Sequence, residues 1–365
     1  MEKGGAMREQ MSKVNRTFVS KASVSFAGIL AFILFLAVST DADEKGEVNS
    51  AKYTRQQLQQ LVNDAHAKFK DIKNGKNADY IPILATVPSE LFGVAIALRD
   101  GTTFTAGDAD YAFAIESLSK PFTAALVIQQ YGGPQSIVEK IGVESTGLPF
   151  NSKLAIEILK ARSVNPLVNA GAMASVSMVK ANDEKDRWTL ILDNMSNFAG
   201  EPLRLMDKVF QSEYSTAWSN RSIANDLYNY QRLYANPEEV LRVYTKQCSV
   251  GITTKQLAIM GATLANGGVN PKTGQRLLDE KDVPELLAIM LTAGFYDESG
   301  YWSMSTGLPS KTGVGGGIVS IVPGEMAIAA FSPRLDLSGN SVRAQKAIHY
   351  IAGKLGVGIF GPNPD

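Results

Sequence analysis

Ser117-Leu118-Ser119-Lys120 places a hydroxyl and an amine three residues apart. The stretch that follows, Pro121 to Tyr131, is mostly apolar and reads as a helix, with Pro121 tolerated in its first turn. At that spacing Ser117 and Lys120 share one helix face. A lysine stripped of water loses part of its affinity for its proton, and its neutral amine can then act as a base. A serine beside such a base becomes a nucleophile. A serine oxygen close to a helix N-terminus also meets a field that favours negative charge. The pattern is short, and by itself it more often marks a helix cap followed by a solvated lysine. A second group changes the balance. Lys311-Thr312-Gly313 runs into Val314-Gly315-Gly316-Gly317 and then into an apolar strand. Glycines there let a ligand lie against backbone, whose N–H groups can hold an oxyanion. The chain has only two histidines, His66 and His349, which disfavours a Ser-His-Asp triad and leaves a Ser–Lys pair as the more economical nucleophilic device.

The elements that must position these groups come from both ends of the chain. Leu91 to Leu98 reads as a buried strand, Asp100-Gly101 as a two-residue turn, and Thr102 to Thr105 as the return strand. Gly317 to Val322 and Met326 to Phe331 read as two more strands, joined by Pro323-Gly324-Glu325. A helix over Val342 to Leu355 closes the chain, with His349 read as structural. An earlier helix is capped by Thr54 and carries Leu58, Leu61, Val62, Ala65 and Phe69 on one face, with His66 on its surface. Asn74 to Tyr80 is a polar loop, and Pro82 is expected to forbid helix entry. Between the strand groups the periodicity is helical, without clear strands. The expected class is α/β of the α+β kind: an antiparallel sheet flanked by helices, with a helical subdomain.

The chain has 365 residues, with 36 Lys plus Arg balanced by 36 Asp plus Glu. That neutrality argues against nucleic acid as a partner and against a polybasic membrane surface. Cys248 is the single cysteine, so an intrachain disulfide and a cysteine-based metal site are both excluded. No cofactor or metal is implied. The beginning of the chain is different in kind. Arg8, Lys13, Arg16 and Lys21 precede an apolar run from Val24 to Val38, short for a membrane span and suited to a signal peptide. Ala37-Val38-Ser39 offers a cleavage site, so residues 1–39 read as a leader for export to a periplasm or medium. An anchor formed by residues 24–38 is the alternative, and the only expected route to membrane association. The organisation is then residues 1–45 as leader and linker and 46–365 as one catalytic domain. Within the domain, a mixed part (46–115 and 300–365) encloses a helical part (116–299).

Ser-x-x-Lys and Lys-Thr-Gly occur together in active-serine β-lactamases and penicillin-binding proteins. The wider likeness is to the serine-dependent glutaminase family, within the same β-lactamase- and transpeptidase-like superfamily. It is carried by Asn77 to Pro82, Ser117 to Lys120, Asn165 to Ala172, Ser212-Glu213 with Asn220-Arg221, and Tyr244 to Ser249. Leu264 to Gly268, Gly294 to Asp297 and Lys311 to Gly316 continue it, from about Tyr53 to Ile359. The resemblance implies that Ser117 is the nucleophile and Lys120 its activating base. It implies that Tyr80, Asn169, Glu213, Asn220, Tyr244, Tyr296 and Val314 stand at glutamine-binding positions. It also implies L-glutamine as substrate, hydrolysis of a linear amide C–N bond, and a homotetramer. In that reading Glu213 pairs with the α-ammonium, and Asn169 and Asn220 serve the carboxylate and amide. Backbone N–H groups of Ser117 and Val314 hold the oxyanion, and Tyr80 or Tyr244 relays a proton.

Each residue also has a plainer reading. Glu213 can be a solvated helix residue, Asn169 a helix cap, Tyr244 and Tyr296 core aromatics, and Cys248 a buried filler. Some positions depart from the family pattern. Glu116 stands where an amide side chain is common, and its carboxylate is expected to raise the pKa of Lys120 and make it a poorer base at neutral pH. Glu144-Ser145-Thr146-Gly147 lacks a usual proline, Thr312 replaces a commoner serine, and Phe295 a commoner methionine. Two competing functions follow: a penicillin-binding or β-lactamase-type acyl hydrolase, and an exported protein that captures amino acids without turnover.

Overall fold

Strands that are apolar at nearly every position must be covered on both faces, and this governs the architecture. The computed structural model describes residues 52–158 and 163–361; the expected leader and its cleavage site lie outside them. Among the described residues the strands are β1 (Gly93–Leu98), β2 (Thr103–Gly107), β3 (Phe113–Ala114), β4 (Arg204–Leu205), β5 (Val250–Ile252), β6 (Ser310–Thr312), β7 (Gly317–Val322) and β8 (Met326–Phe331). The main sheet has the order β2-β1-β8-β7-β6, with antiparallel neighbours throughout. The two ends of the chain therefore meet at its centre, where Ile96 faces Ile328 and Ala97 faces Ala327.

Alternation along the strands sorts side chains between two layers. Val94, Ile96, Ile318, Ile328 and Ala330 join the core beneath the helices Arg55–Phe69 and Val342–Leu355. Ala95, Ala97, Val319, Ile321, Ala327 and Ala329 join the larger core with the helix Thr254–Ala265. This second face uses small residues because that helix comes very close. A Cβ placed on Gly261 would lie 2.6 Å from the Ala327 Cβ. The first helix opens as expected on Thr54. Its hydroxyl accepts from the Gln57 N–H at 3.2 Å, and the Gln57 side chain accepts from the Thr54 N–H at 2.8 Å.

Four expectations need correction. The strand-free middle contains a small sheet of order β3-β5-β4, whose strands of two or three residues are too short to show alternation. Pro82 opens the short helix Pro82–Ala85, because the first turn requires no N–H from it. His66 is half-buried rather than on the surface, its ring stacked on Phe92 at 5.0 Å. His349, read as structural, points outward from the last helix and is exposed.

Candidate active site

The short strand β3 ends one residue before a tight turn. Ile115 donates from its N–H to Val250 O at 2.8 Å, fixing the turn to β5. Glu116–Ser119 then forms a 3₁₀ turn that passes directly into the helix Lys120–Tyr131, with Pro121 in the first turn. Ser117 and Lys120 are thus held on one continuous curved segment, 6% and 1% exposed. The Lys120 amine meets the Ser117 hydroxyl in a short contact and also reaches Asn169 Oδ1 at 3.0 Å. Burial is the dominant influence on this amine and brings its pKa down to about 8. The expected upward pull of Glu116 exists but is the weaker effect, so Lys120 is a better base than the sequence suggested.

Asn169 is not a helix cap. It is the first residue of the helix Asn169–Met178, whose preceding residue Val168 makes no side-chain cap. Its side chain turns to the site, accepting from Lys120 and donating from Nδ2 to Asn220 Oδ1 at 2.9 Å. Asn220 comes from the helix Trp218–Asn229. Glu213, on the helix Asp207–Thr216, is not solvated: it is 7% exposed, and Ser249 Oγ donates to it at 3.5 Å. Burial pushes its carboxyl up to about 8. Tyr244, on the helix Pro237–Cys248, is buried with its ring centroid 5.7 Å from the Lys120 amine.

These groups line a cavity of about 120 Å³. Tyr80, Ser117, Asn169, Glu213, Asn220, Tyr244 and Val314 all line it. The remaining two predicted residues stand immediately behind. Lys120 touches Ser117, and the buried Tyr296 hydroxyl, close enough to Ser117 to be influenced by it, donates to Thr312 O at 3.5 Å. Tyr80 is the exposed member, 56% open at the mouth. It is carried there by Asn77, which donates to Leu84 O and Val87 O at 3.2 and 2.7 Å and so ties the loop to the short helix.

The Lys311-Thr312-Gly313 group contributes differently from expectation. Lys311 is fully buried, donates to Gly294 O at 3.1 Å and Thr312 O at 2.7 Å, and sits 4.0 Å from the Tyr296 ring centroid. It props Tyr296, whose φ of 58° is left-handed. The glycines that follow bring backbone against the Ser117 turn: a Cβ on Gly315 would lie 2.2 Å from Ala114 O.

Sequence reasoning did not place Glu116 in the pocket. It lines the cavity beside Ser117 at 2% exposure, and burial raises its carboxyl well above the usual range. One ligand atom each of Glu116, Glu213 and Cys248 lies within 4.8 Å of the others, but Lys120 acts electrostatically on all three, so a bound cation would meet a resident amine.

Comparison with known proteins gives one answer. A sequence model described as glutaminase matches residues 75–360. A glutaminase of Colwellia psychrerythraea is 51% identical over 303 residues, 83% of this chain and 97% of that one. A glutaminase of Bacteroides thetaiotaomicron is 46% identical over 313 residues, 86% of this chain and 97% of that one. Among solved structures, a probable glutaminase, ybaS, superposes with a TM-score of 0.83 at 49% identity, covering 84% of this chain and 99% of that chain. Mglu in its glutamate form superposes with a TM-score of 0.79 at 33% identity, covering 84% and 70%.

Proposed function

The chain belongs to the glutaminase family, with its β-lactamase-like fold, and we propose that its pocket hydrolyses the side-chain amide of L-glutamine through a covalent intermediate on Ser117. The observation that carries this reading is the Lys120 amine, deprived of water and directed at the Ser117 hydroxyl. Neutral Lys120 takes the Ser117 proton as Oγ attacks the amide carbon. Backbone N–H groups of Ser117 and Val314 receive the oxyanion, a contribution worth roughly 10²–10³ in rate per donor. The proton then passes to the leaving nitrogen, the C–N bond breaks and ammonia departs. Of the two candidate relays, Tyr244 is sealed beside Lys120, whereas Tyr80 stands at the mouth. Water, activated by the same lysine, hydrolyses the γ-glutamyl ester and releases glutamate. Glu213 meets the α-ammonium, and Asn169 and Asn220 supply hydrogen bonds to the substrate's remaining polar groups.

The test is ammonia release from L-glutamine by the full chain and by Ser117→Ala, with L-asparagine alongside. Release should fall by at least about 10⁴ in the variant. A Ser117→Ala protein that keeps near-normal turnover would exclude the covalent route.

We also propose a homotetramer and export through the leader, both on the family likeness and the sequence pattern alone. Light scattering on the purified protein reads the first. The N-terminal sequence of protein recovered from outside the cytoplasm reads the second and distinguishes cleavage from anchoring.

A further inference from the structure

Glu116 precedes the nucleophile, lines the pocket, and has no task in the mechanism above. Its backbone adopts a φ of 50°, a left-handed value that glutamate rarely takes. The turn buries the side chain against the loop after β6, where a Cβ on Gly315 would come 3.3 Å from Glu116 Cγ. Its Oε1 is buried without a hydrogen-bond partner among the described residues.

The groups around it are few and come from each neighbouring element. Glu213 faces it from the helix Asp207–Thr216, Lys120 from its own helix, and Tyr244 and Cys248 from the helix Pro237–Cys248. Tyr80 faces it from the mouth and Tyr296 from the turn behind Ser117. Lys311, on the adjacent β6, spends its ammonium on two backbone carbonyls. Among the described residues the only cation able to answer a Glu116 anion is therefore Lys120, and Lys120 must be neutral to accept the Ser117 proton. The substrate brings one ammonium, and Glu213 answers it. A second anion beside Ser117 would be buried without a partner and would oppose the negative charge that forms on the attacked amide.

We propose that Glu116 works as a neutral carboxylic acid, held protonated beside Ser117, so that Glu213 is the single anion of the pocket wall and Glu116 offers an O–H donor within it. This deepens the glutaminase reading and rests on it. The direction of the Glu116 titration agrees: burial, then Glu213, raise its carboxyl, and Lys120 opposes. Loss of that proton at alkaline pH would remove the donor and add the unpartnered anion, so activity falls on the alkaline side.

Glu116→Gln keeps the shape and a donor but cannot ionise. It should restore most of the activity that Glu116→Leu loses and move the alkaline limb of kcat/KM upward by about one pH unit or more. The substrate's own ammonium titrates identically in both comparisons. A second readout needs no activity. A carboxyl raised in the folded state lowers stability as pH rises above its ordinary value, so the melting temperature of Glu116→Gln minus that of the parent should grow as pH rises above the ordinary carboxyl range. A difference that stays flat, or a Glu116→Gln protein as inactive as Glu116→Leu, overturns the proposal. If the parent released no ammonia, the melting comparison would still decide the protonation state and only the glutaminase reading would fall.

Discussion

The pH dependence of the chemical step follows from the environment of Lys120. A lysine at its ordinary value of 10.5 would be neutral in about 3 molecules in 10,000 at pH 7. Brought down to about 8, it is neutral in about a tenth of molecules at pH 7, about a hundredth at pH 6 and about nine-tenths at pH 9. Burial thus raises the supply of base some 300-fold at neutrality, equivalent to roughly 3 kcal/mol. In the proposed mechanism only the neutral amine accepts the Ser117 proton, so kcat at saturating L-glutamine should rise about tenfold per pH unit below 8 and level off above it until Glu116 ionises. In kcat/KM the rise should be steeper. Free Glu213, also held up to about 8, must lose its proton before it can meet the ammonium, and the slope then approaches a hundredfold per unit. The assay is ammonia released in a fixed time, quenched and quantified at one common pH, with circular dichroism confirming the fold at each condition. A kcat that is flat between pH 6 and pH 8 would refute the assignment of Lys120 as base. So would a Lys120→Arg enzyme with near-parental activity, since a guanidinium cannot shed its proton there.

Three further outcomes rest on other parts of the molecule. Asn169→Ala removes an acceptor of Lys120 and a donor to Asn220, and should lower kcat/KM by roughly 5- to 150-fold, or about 1–3 kcal/mol, in steady-state assays. Gly171→Ala would place a Cβ 1.8 Å from Asn165 O and should lower the melting temperature sharply, whereas Gly300→Ala, in open helical space, should be neutral or stabilising by up to about 1 kcal/mol. Arg343→Met empties a buried guanidinium that donates to Lys70 O, Glu90 O, Leu91 O and Ser332 Oγ. It should cost about 3–5 kcal/mol in denaturant unfolding and, in whatever folds, leave the pH profile of ammonia release in place.

The main sheet was legible because burial on both faces leaves a continuous apolar run. Gly317–Val322, Met326–Phe331 and the last helix appear within the bounds the pattern suggested. What periodicity could not supply was partnership. Nothing in the run at Leu91 to Leu98 says that it pairs with Met326 to Phe331 across the whole chain. The site divides the same way. Ser117 and Lys120 are neighbours on one turn, so their meeting follows from spacing. Asn169, Glu213, Asn220 and Tyr244 arrive from four separate helices, and only the likeness to a family joined them in advance. Lys311 was visible as a motif, yet its side chain turns away to two carbonyls, a choice made by the Gly294–Tyr296 turn packed against it. Glu116 stood out only as a departure from the family pattern; its left-handed φ, which turns it into the pocket, is imposed by tertiary packing rather than by propensity.

The ionisable groups of the site share one physical logic. Lys120, Lys311, Glu116 and Glu213 are all buried, and each is pushed toward its uncharged form, lysines downward and carboxyls upward. Burial thus weakens each charge, which limits the cost of placing four titratable groups beside Ser117, although Lys120 at about 8 still holds its proton in about nine-tenths of molecules at pH 7. A zwitterionic amino acid reverses this locally, because its ammonium makes the Glu213 anion favourable again. In the proposed mechanism the binding charge is therefore created at the far end of the substrate, by the substrate. The end that reacts keeps a neutral base and a neutral acid around Ser117. Discrimination and reactivity then draw on the same feature, a buried wall in which Glu213 is held largely protonated until the substrate's ammonium arrives.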